Sequence, residues 1–442
     1  MKILVVGSSF ASTIALKNLI ESGFKPILID SDENHNFSKI QLQKDNRDKI
    51  LNPIQNIGGL SNYWSGSVNE YSQKDLIDWP ISYEDLDPHY RKISSLIDCK
   101  ILSNQSMIKP YIKEDIPINK NVINENKNAS LKFGNILADK KNNEFNKLDD
   151  IKPFSLKETI LKLVKNNEVD FIQGKVIKFY EKKNKIFIEF INNKKKTQLE
   201  FDYIFLGSGA LATYKILYNS IKFEPRLVTL KTQKKLLTPI LFKKFKPKNE
   251  NYYFTNPLFQ LSINKANISI YAQIYNFNIN ILKTLFPKIK KHEFGKLAYF
   301  FLKKFGFAYF TFGSSLCEEF YIQNEKIIIN NNNNNNNVVK ILKDNSYLYN
   351  YEFSNGLFKL LEFNFNRNAL SGNHFGASFP MSKEKAKFNT SINGRLYGIK
   401  RLSIIDTSIF STLSAKPPTL TLMANSSRIS TNIINKIKQS DL

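Results

Sequence analysis

The chain has 442 residues and a formal net charge of +25, with 64 Lys and Arg against 39 Asp and Glu. Its basic residues are scattered among many asparagines, a composition that an AT-rich genome also produces, so we expect no nucleic-acid partner. Two cysteines, Cys99 and Cys317, exclude a disulfide framework, a cysteine zinc site and an iron–sulfur cluster, and four histidines argue against a His-rich metal centre. No apolar run approaches the ~20 residues that span a bilayer. We expect a cytoplasmic protein, because the amino terminus has the pattern of folded structure rather than of a cleaved signal.

The amino-terminal segment has the pattern of a βαβ unit of about thirty residues. Small residues at Gly7, Ser9 and Ser12 allow the backbone to approach a pyrophosphate at the positive end of the following helix. Asp30 ends the second strand, where a carboxylate can accept hydrogen bonds from a ribose. The pattern predicts a nucleotide site, with a βαβ unit that binds no ligand as the alternative. The predicted elements are a strand at 2–7, a helix at 13–22 and a strand at 26–29.

Later segments return to the same kind of sheet, whereas 225–365 alternate aromatic and β-branched residues with polar ones, as an antiparallel domain does. We predict an α/β fold: a Rossmann-like dinucleotide-binding domain with a second, mainly antiparallel-sheet substrate domain (α+β). Further strands are predicted at 171–180, 185–191, 202–206 and 402–405, and helices at 210–218 and 419–437. The first domain is predicted to comprise 1–95, 150–222 and 370–442, the second 225–369, and a loop-rich insertion 100–150.

Short motifs are spread along the chain in a definite order. They are Gly-Gly-Leu-Ser-Asn-Tyr-Trp-Ser-Gly at 58–66, Trp-Pro-Ile-Ser-Tyr-Glu-Asp-Leu at 79–86, the segment 201–213, His-Phe-Gly-Ala-Ser-Phe-Pro-Met at 374–381, Gly-Arg-Leu-Tyr-Gly at 394–398, the segment 402–408 and Pro-Thr-Leu-Thr at 418–421. In this order they resemble the glucose–methanol–choline (GMC) family of FAD-dependent oxidoreductases. Residues 100–150 and 225–365 show little similarity. The resemblance implies that the first domain binds FAD.

The loop after residue 57 is where the resemblance implies contact with the flavin. Gly58 and Gly59 would pass the pyrophosphate and the flavin, since glycine permits close approach to a planar ring. Asn62 and Trp64 would lie near the isoalloxazine. In some sugar-oxidising relatives a histidine just before this tryptophan carries the flavin covalently. That place is Tyr63 here, so we predict non-covalent FAD.

Further cofactor contacts are implied at four other places. Val176 matches a position whose backbone contacts adenine, and Gly207 to Ala210 match a second turn that packs over the dinucleotide; core packing is the alternative for both. Asp406 matches an acid that meets the ribityl-pyrophosphate portion, with a structural cap as the alternative. Thr419 opens the last helix, whose positive end would stabilise the negative charge of reduced flavin.

His374 matches the active-site histidine of the family. The resemblance implies a base that removes the hydroxyl proton of a sugar or other alcohol as hydride moves to flavin N5, giving a carbonyl. Many members also carry Asn or His just before the Pro-Thr-Leu-Thr segment, but Pro417 stands there and has no side-chain donor. Either one base suffices, or Asn373 takes over, or alcohol oxidation has been lost. The remaining histidines, His35, His89 and His292, have no such context and are predicted to be structural.

Two other classes of protein remain open at this stage. A flavin reductase would use the cofactor in reverse, but a second clear Gly-x-Gly-x-x-Gly motif for a nicotinamide is missing from the sequence. A degenerate, non-catalytic flavin-binding protein or a membrane-surface protein is the other. The Lys- and aromatic-rich stretch 281–312 would contact the membrane surface in that case, with a core helix carrying solvated lysines as the simpler interpretation. The sequence does not indicate the electron acceptor.

Overall fold

The computed structural model describes most of the two predicted domains. The described residues are 1–31, 56–103, 105, 122–125, 129–139, 153–221, 228–244, 257–265, 268–276, 304–313, 316–323, 326–329, 335–344, 357–361, 365–366 and 374–439. Asn373, His35, His292 and the stretch 277–303 lie outside them, so the predictions made for these residues stay predictions. Within the described ranges, no helix is long and apolar enough to cross a membrane.

Helices and strands are numbered here in chain order. The described helices are α1 Phe10–Glu21, α2 Tyr83–Leu96, α3 Leu156–Lys165, α4 Ala210–Ser220, α5 Asn335–Asp344 and α6 Thr419–Lys438, with short 3-10 helices at Gly59–Asn62, Gln73–Leu76 and Thr407–Ile409. The described strands are β1 Ile3–Val6, β2 Ile27–Asp30, β3 Cys99–Ser103, β4 Val122–Glu125, β5 Ala129–Phe133, β6 Asn135–Asp139, β7 Asp170–Gln173, β8 Lys175–Lys182, β9 Lys185–Asn192, β10 Lys195–Phe201, β11 Tyr203–Leu206, β12 Thr229–Thr232, β13 Lys234–Phe242, β14 Phe259–Lys265, β15 Ile268–Asn276, β16 Phe305–Phe312, β17 Glu318–Gln323, β18 Lys326–Ile329, β19 Phe358–Leu360, β20 Phe365–Asn366, β21 Phe375–Gly376 and β22 Leu402–Ile404.

A parallel sheet of five strands, in the order β22-β11-β1-β2-β7, forms the centre of the first domain. All four residues of β1 and of β11 are buried, as expected for strands covered on both faces. The sheet joins segments from both ends of the chain, as the predicted discontinuous domain requires. Because the strands are parallel, the turns after β1, β11 and β22 lie at one edge of the sheet.

The first helix starts earlier than the sequence predicts. Ser9 has extended backbone and its hydroxyl accepts a hydrogen bond from the Ser12 amide at 3.3 Å, so α1 begins at Phe10 rather than at residue 13. At its other end α1 packs near α6, where Nδ2 of Asn18 donates to Oγ of Ser430 at 2.8 Å. The amino-terminal helix is therefore held against the carboxyl-terminal one.

The second domain is built on an antiparallel sheet in the order β19-β13-β16-β15-β14-β5-β4, with β20 also paired to β13. One face covers a separate apolar core that includes Leu236, Ile240 and Phe310. The Lys- and aromatic-rich stretch was predicted to be a core helix, but its described part is strand β16, which pairs with strands on both sides. The interpretation as a helix is wrong for that part, because cross-strand pairing decides its conformation.

The prediction of a loop-rich insertion at 100–150 is also wrong for its described residues. Strand β5 alternates buried and partly buried residues and pairs with β14, which extends the large sheet. Strand β3 pairs with β6 in a two-stranded sheet. Short strands of this kind gain much of their stability from their partners, and the surrounding Lys- and Asn-rich sequence hides them.

Candidate functional site

The first turn of the βαβ unit is a junction of three segments. Gly7 has φ +86°, and a Cβ placed on it would lie 2.8 Å from Cα of Ser208 in the turn after β11. The Ser8 hydroxyl donates to Oδ2 of Asp30, and it accepts a hydrogen bond of 2.7 Å from the Gly58 amide. The turn therefore connects Asp30, the predicted ribose acid, with the glycine loop. The connection is made by Ser8, which was not predicted as a site residue.

Ser12 has a structural task within this junction. Its side chain is fully buried, and its hydroxyl donates to the Gly207 carbonyl at 3.1 Å. A Cβ at Gly207 would lie only 2.3 Å from that hydroxyl. The two small residues thus allow the first helix to pack closely on the turn after β11, as close helix–strand packing in dinucleotide folds requires.

The glycine loop is held by the side chains predicted to face the flavin. Gly58 and Gly59 have φ +86° and +50° and lead into a 3-10 helix. Nδ2 of Asn62 donates to the Ile57 carbonyl at 2.9 Å. The indole N–H of Trp64 donates to the Phe154 carbonyl at 2.8 Å. The polar atoms of both side chains therefore support the loop, and contact with the flavin stays a prediction for them. Tyr63 is 41% exposed, with its hydroxyl accepting from Nδ2 of Asn56 at 2.8 Å.

The second turn meets Asp406. The Gly209 amide donates to Oδ2 of this carboxylate at 2.9 Å, the Thr213 hydroxyl donates to the same oxygen, and the Ser408 amide donates to Oδ1 at 2.9 Å. Burial raises the pKa of Asp406 above its ordinary value, although these hydrogen bonds act in the opposite direction. Asp406 caps the 3-10 helix that follows it, which is the structural alternative left open by the sequence. Ala210 begins α4.

Val176 lies beside the end of β2. The Gly174 amide donates to the Asp30 carbonyl at 2.8 Å, so strand β8 starts at the edge of the sheet where Asp30 lies. Val176 itself is 9% exposed and belongs to the apolar core. Its side chain thus packs in the core, and a contact of its backbone with adenine stays a prediction.

His374 lies where the two domains meet. It precedes β21, which pairs antiparallel with β12 of the second domain. Its Nδ1 lies 2.7 Å from Oε1 of Gln233. Burial lowers the pKa of His374 to about 3, and the nearby charge of Lys235 adds to that effect. The histidine is therefore neutral throughout the neutral pH range. Gln233 carries no motif, and its contact follows from strand pairing that the sequence does not display.

The segment before α6 is fastened to the second domain. Nε2 of Gln233 donates to the carbonyls of Ser414 at 2.5 Å and Lys416 at 2.9 Å. The Thr311 hydroxyl donates to the Ala415 carbonyl at 2.6 Å. This clamped segment, residues 414–416, sets the position of buried Pro417. Two residues further on, Thr419 is the first residue of the twenty-residue helix α6, as predicted from the sequence.

Hydrogen bonds connect the histidine segment with the turn at Thr407 in the first domain. The Thr407 hydroxyl donates to the Phe375 carbonyl at 2.6 Å, and the Ala377 amide donates to the Thr407 carbonyl at 2.9 Å. Thr407 follows Asp406, which is bonded to the turn after β11. Hydrogen bonds thus connect the segment that follows His374 with Asp406 and the turn after β11.

The residues of this site fit an anionic dinucleotide. Helices α1 and α4 begin at the turns after β1 and β11, so their positive ends face the same edge of the sheet. Ser208 Oγ, Ser378 Oγ and Asn56 Oδ1 are buried and have no hydrogen-bond partner among the described residues. Buried polar atoms of this kind need a partner, which the hydroxyl and phosphate groups of FAD would provide. No cluster of metal-ligating side chains occurs in the described part of the chain.

Comparison with known proteins agrees with this geometry. The family model described as GMC oxidoreductase matches residues 334–426. The crystal structure of pyridoxine 4-oxidase from Mesorbium loti superposes with a TM-score of 0.62 at 11% identity, covering 98% of this chain and 99% of that one. An FAD-dependent oxidoreductase from Chaetomium thermophilum, solved with a bound fragment, also gives a TM-score of 0.62 at 11% identity, covering 99% of both chains. No curated protein matches the sequence.

The family match over residues 334–426 confirms the resemblance to GMC oxidoreductases that the sequence motifs predict. The predicted fold class is confirmed as well, because the superposition extends over nearly the whole chain.

His89 lies outside this site and provides a test of how burial disfavours the charged form of an imidazole. Its Nδ1 lies 2.9 Å from the Ser427 hydroxyl, and burial, with Arg428 and Lys92, lowers its pKa to about 4. Between that pKa and the unfolded value near 6.5, only the unfolded chain binds the proton, so stability falls as pH decreases through this window. The slope is at most about 1.4 kcal/mol per pH unit for one histidine. We expect His89→Gln to flatten the fall in unfolding free energy between pH 6.5 and 4, measured by urea denaturation. An unchanged slope would contradict the lowered pKa.

Proposed function

We propose that the chain binds FAD non-covalently and oxidises a hydroxyl group of a sugar or other alcohol to a carbonyl. The observation that carries the proposal is the bonding of the Thr407 turn to the histidine segment on one side and of Asp406 to the glycine turn on the other. The segment that follows His374 is thereby connected to a turn that is suited to a dinucleotide. Such an arrangement supports removal of a proton beside a redox cofactor.

Residues of this chain divide the work as follows. At Gly7, Gly58 and Gly209 the protein backbone can approach the cofactor closely. The amino-terminal ends of α1 and α4 favour the phosphates of the cofactor. When bound, FAD supplies the acceptor for the hydride that leaves the alcohol carbon. His374 accepts the hydroxyl proton, because its neutral form has a free lone pair near neutral pH. Tyr63 at the place of the flavin-linking histidine supports a non-covalent complex.

The visible absorption spectrum of the purified protein tests this proposal. Bound flavin makes the protein yellow, and anaerobic addition of the right sugar or alcohol should bleach it. Acid precipitation should release the flavin into the supernatant, whereas retention in the pellet would contradict non-covalent binding. A protein that takes up no FAD would overturn the proposal.

A bleached sample also reveals the electron acceptor. Re-oxidation by air would indicate an oxidase, and re-oxidation only by an added dye or quinone would indicate a dehydrogenase. A yellow protein that no sugar or alcohol bleaches would favour the non-catalytic alternative, for which the proline at position 417 is the specific observation.

A further inference from the structure

Gln233 and His374 lie next to each other at the end of two paired strands. The antiparallel register of β12 and β21 ends with Thr232 opposite Phe375, and Gln233 and His374 are the residues directly beyond that last pair. Gln233 is 1% exposed, and its Oε1 lies 2.7 Å from Nδ1 of the histidine. The adjacent strand pairing therefore places the two side chains close to each other.

The orientation of the glutamine amide follows from its other contacts. The amide group faces the carbonyl oxygens of Ser414 and Lys416, at 2.5 and 2.9 Å. A carbonyl oxygen only accepts hydrogen bonds, so the NH₂ end of Gln233 must point at both of them. The oxygen end of the amide therefore faces the imidazole, and it can only accept.

The amide orientation in turn determines the tautomer of the imidazole. Because Oε1 of Gln233 accepts, Nδ1 of His374 must carry the hydrogen. A neutral imidazole with a hydrogen on Nδ1 has its lone pair on Nε2. The burial of the ring keeps the imidazole neutral, and the nearby charge of Lys235 adds to that effect. Lys235 is the charged group acting on this ring within the described residues.

We propose that Gln233 is a positioning residue for His374, which it holds as the Nδ1–H tautomer with Nε2 as the atom that accepts the substrate proton. The glutamine also ties the clamped segment 414–416 to the same imidazole, so a single side chain aligns the base with the start of α6. Pro417 has no side-chain donor that could orient the imidazole. Gln233, which follows β12, orients the imidazole instead. This inference rests on the proposed function for its chemical meaning, although the tautomer itself can be measured without any substrate.

Nitrogen NMR of the FAD-loaded protein labelled with ¹⁵N-histidine tests the tautomer directly. The four histidines of the chain give separate long-range ¹H–¹⁵N patterns, and the pattern that disappears in His374→Ala belongs to this residue. We expect Nδ1 to be protonated and Nε2 to be unprotonated from pH 5 to 8. In Gln233→Met the pattern should change to the Nε2–H tautomer or to a mixture. An Nε2–H tautomer in the unmodified protein would overturn the proposal.

Two substitutions separate positioning from a general structural effect. Gln233→Met removes the acceptor at similar volume, and we expect the limiting rate of flavin reduction to fall about 10- to 100-fold with little change in KM. Gln233→Glu keeps an acceptor for Nδ1–H, but its charge raises the pKa of His374, so the rate should begin to fall at acidic pH. The rate of the unmodified protein should stay flat over that range. A Gln233→Met protein with an unchanged rate would refute the positioning role.

Gln260 offers the matched control. It is a glutamine that is 3% exposed in strand β14 of the large antiparallel sheet, and its Nε2 donates to the Ser67 hydroxyl at 3.1 Å. Gln260→Met should leave both the histidine tautomer and the pH profile unchanged, and an equal effect on either would mark the Gln233 result as non-specific. If the tautomer is found but no alcohol bleaches the flavin, the proposed function fails and the positioning role stands. If the flavin bleaches while the histidine carries Nε2–H, the proposed function stands and the positioning role fails.

Discussion

Replacement of His374 by alanine should lower the rate of flavin reduction by an alcohol about 10²- to 10⁴-fold, which is the usual contribution of a general base. The cofactor should remain bound, because the glycine turns and Asp406 make their hydrogen bonds without the imidazole. Anaerobic stopped-flow absorbance measures the rate, and the flavin spectrum of the same sample measures occupancy. A fall in rate without loss of flavin would separate proton removal from cofactor binding.

The matched control is His89→Ala, which removes a histidine of lowered pKa that contacts Ser427 between packed helices. It should leave the rate of flavin reduction unchanged. A His374→Ala protein that reduces its flavin as fast as the unmodified protein would assign proton removal to another group. Loss of flavin in the variant would instead indicate that the histidine segment supports the cofactor turns.

The βαβ unit could be predicted from the sequence because its signals are local. A buried strand, small residues in the turn and an acid after the next strand all occur within the first thirty or so residues. Only the start of α1 was misplaced, since a serine cap adds its first turn. Strands β11 and β22 are also short apolar runs, so they could be identified although they come from distant parts of the chain. The single strand predicted at 171–180 is wrong, because the structure divides this segment into β7 of the parallel sheet and β8 of another sheet.

The second domain contains features that local sequence patterns do not predict. Strand β5 lies in a Lys- and Asn-rich stretch and gains its conformation from β14, far away in the sequence. Gln233 has the same origin, because its contact with His374 depends on the register of β12 and β21. A lone glutamine beside a strand carries no signal of such a role. Long-range strand pairing is therefore the physical reason that neither strand β5 nor the contact of Gln233 could be predicted from the sequence.

Asp406 illustrates an intermediate case. The motif identified the residue and the turn, and the structure places the carboxylate in the site. Its partners are three donors within the chain, which a motif does not reveal. Asn62 and Trp64 behave in the same way, since their polar groups bind backbone carbonyls of the chain. The sequence thus predicts which residues build the site better than it predicts what each of them touches.

Asp75→Asn should lower the free energy of unfolding by about 3–5 kcal/mol, the range for breaking one side of a buried ion pair. The side chains of Asp75 and Lys416 are 1% and 13% exposed, and Nζ lies 2.6 Å from Oδ2. Oδ1 accepts from the Ser414 hydroxyl at 2.6 Å. Burial alone would raise the pKa of Asp75, but the Lys416 charge and these hydrogen bonds outweigh it, so the pKa is lowered. The contribution to stability is therefore present above the ordinary carboxyl pKa and lost as pH falls through the folded value.

Asp170→Asn is the control that separates the effect of burial from the effect of losing an ion pair. Asp170 pairs with Lys25 at 2.7 Å, but the side chains are 53% and 44% exposed, so its loss should cost at most about 1 kcal/mol. Chemical denaturation of both variants measures the difference, and equal costs would contradict the importance of burial. Because Asp75→Asn leaves the ammonium of Lys416 buried without its counter-charge, adding Lys416→Met should recover much of the stability. If the double variant is instead less stable than Asp75→Asn, the lysine must stabilise the clamped segment 414–416 by contacts other than the ion pair, such as its bond to the Glu70 carbonyl at 3.2 Å.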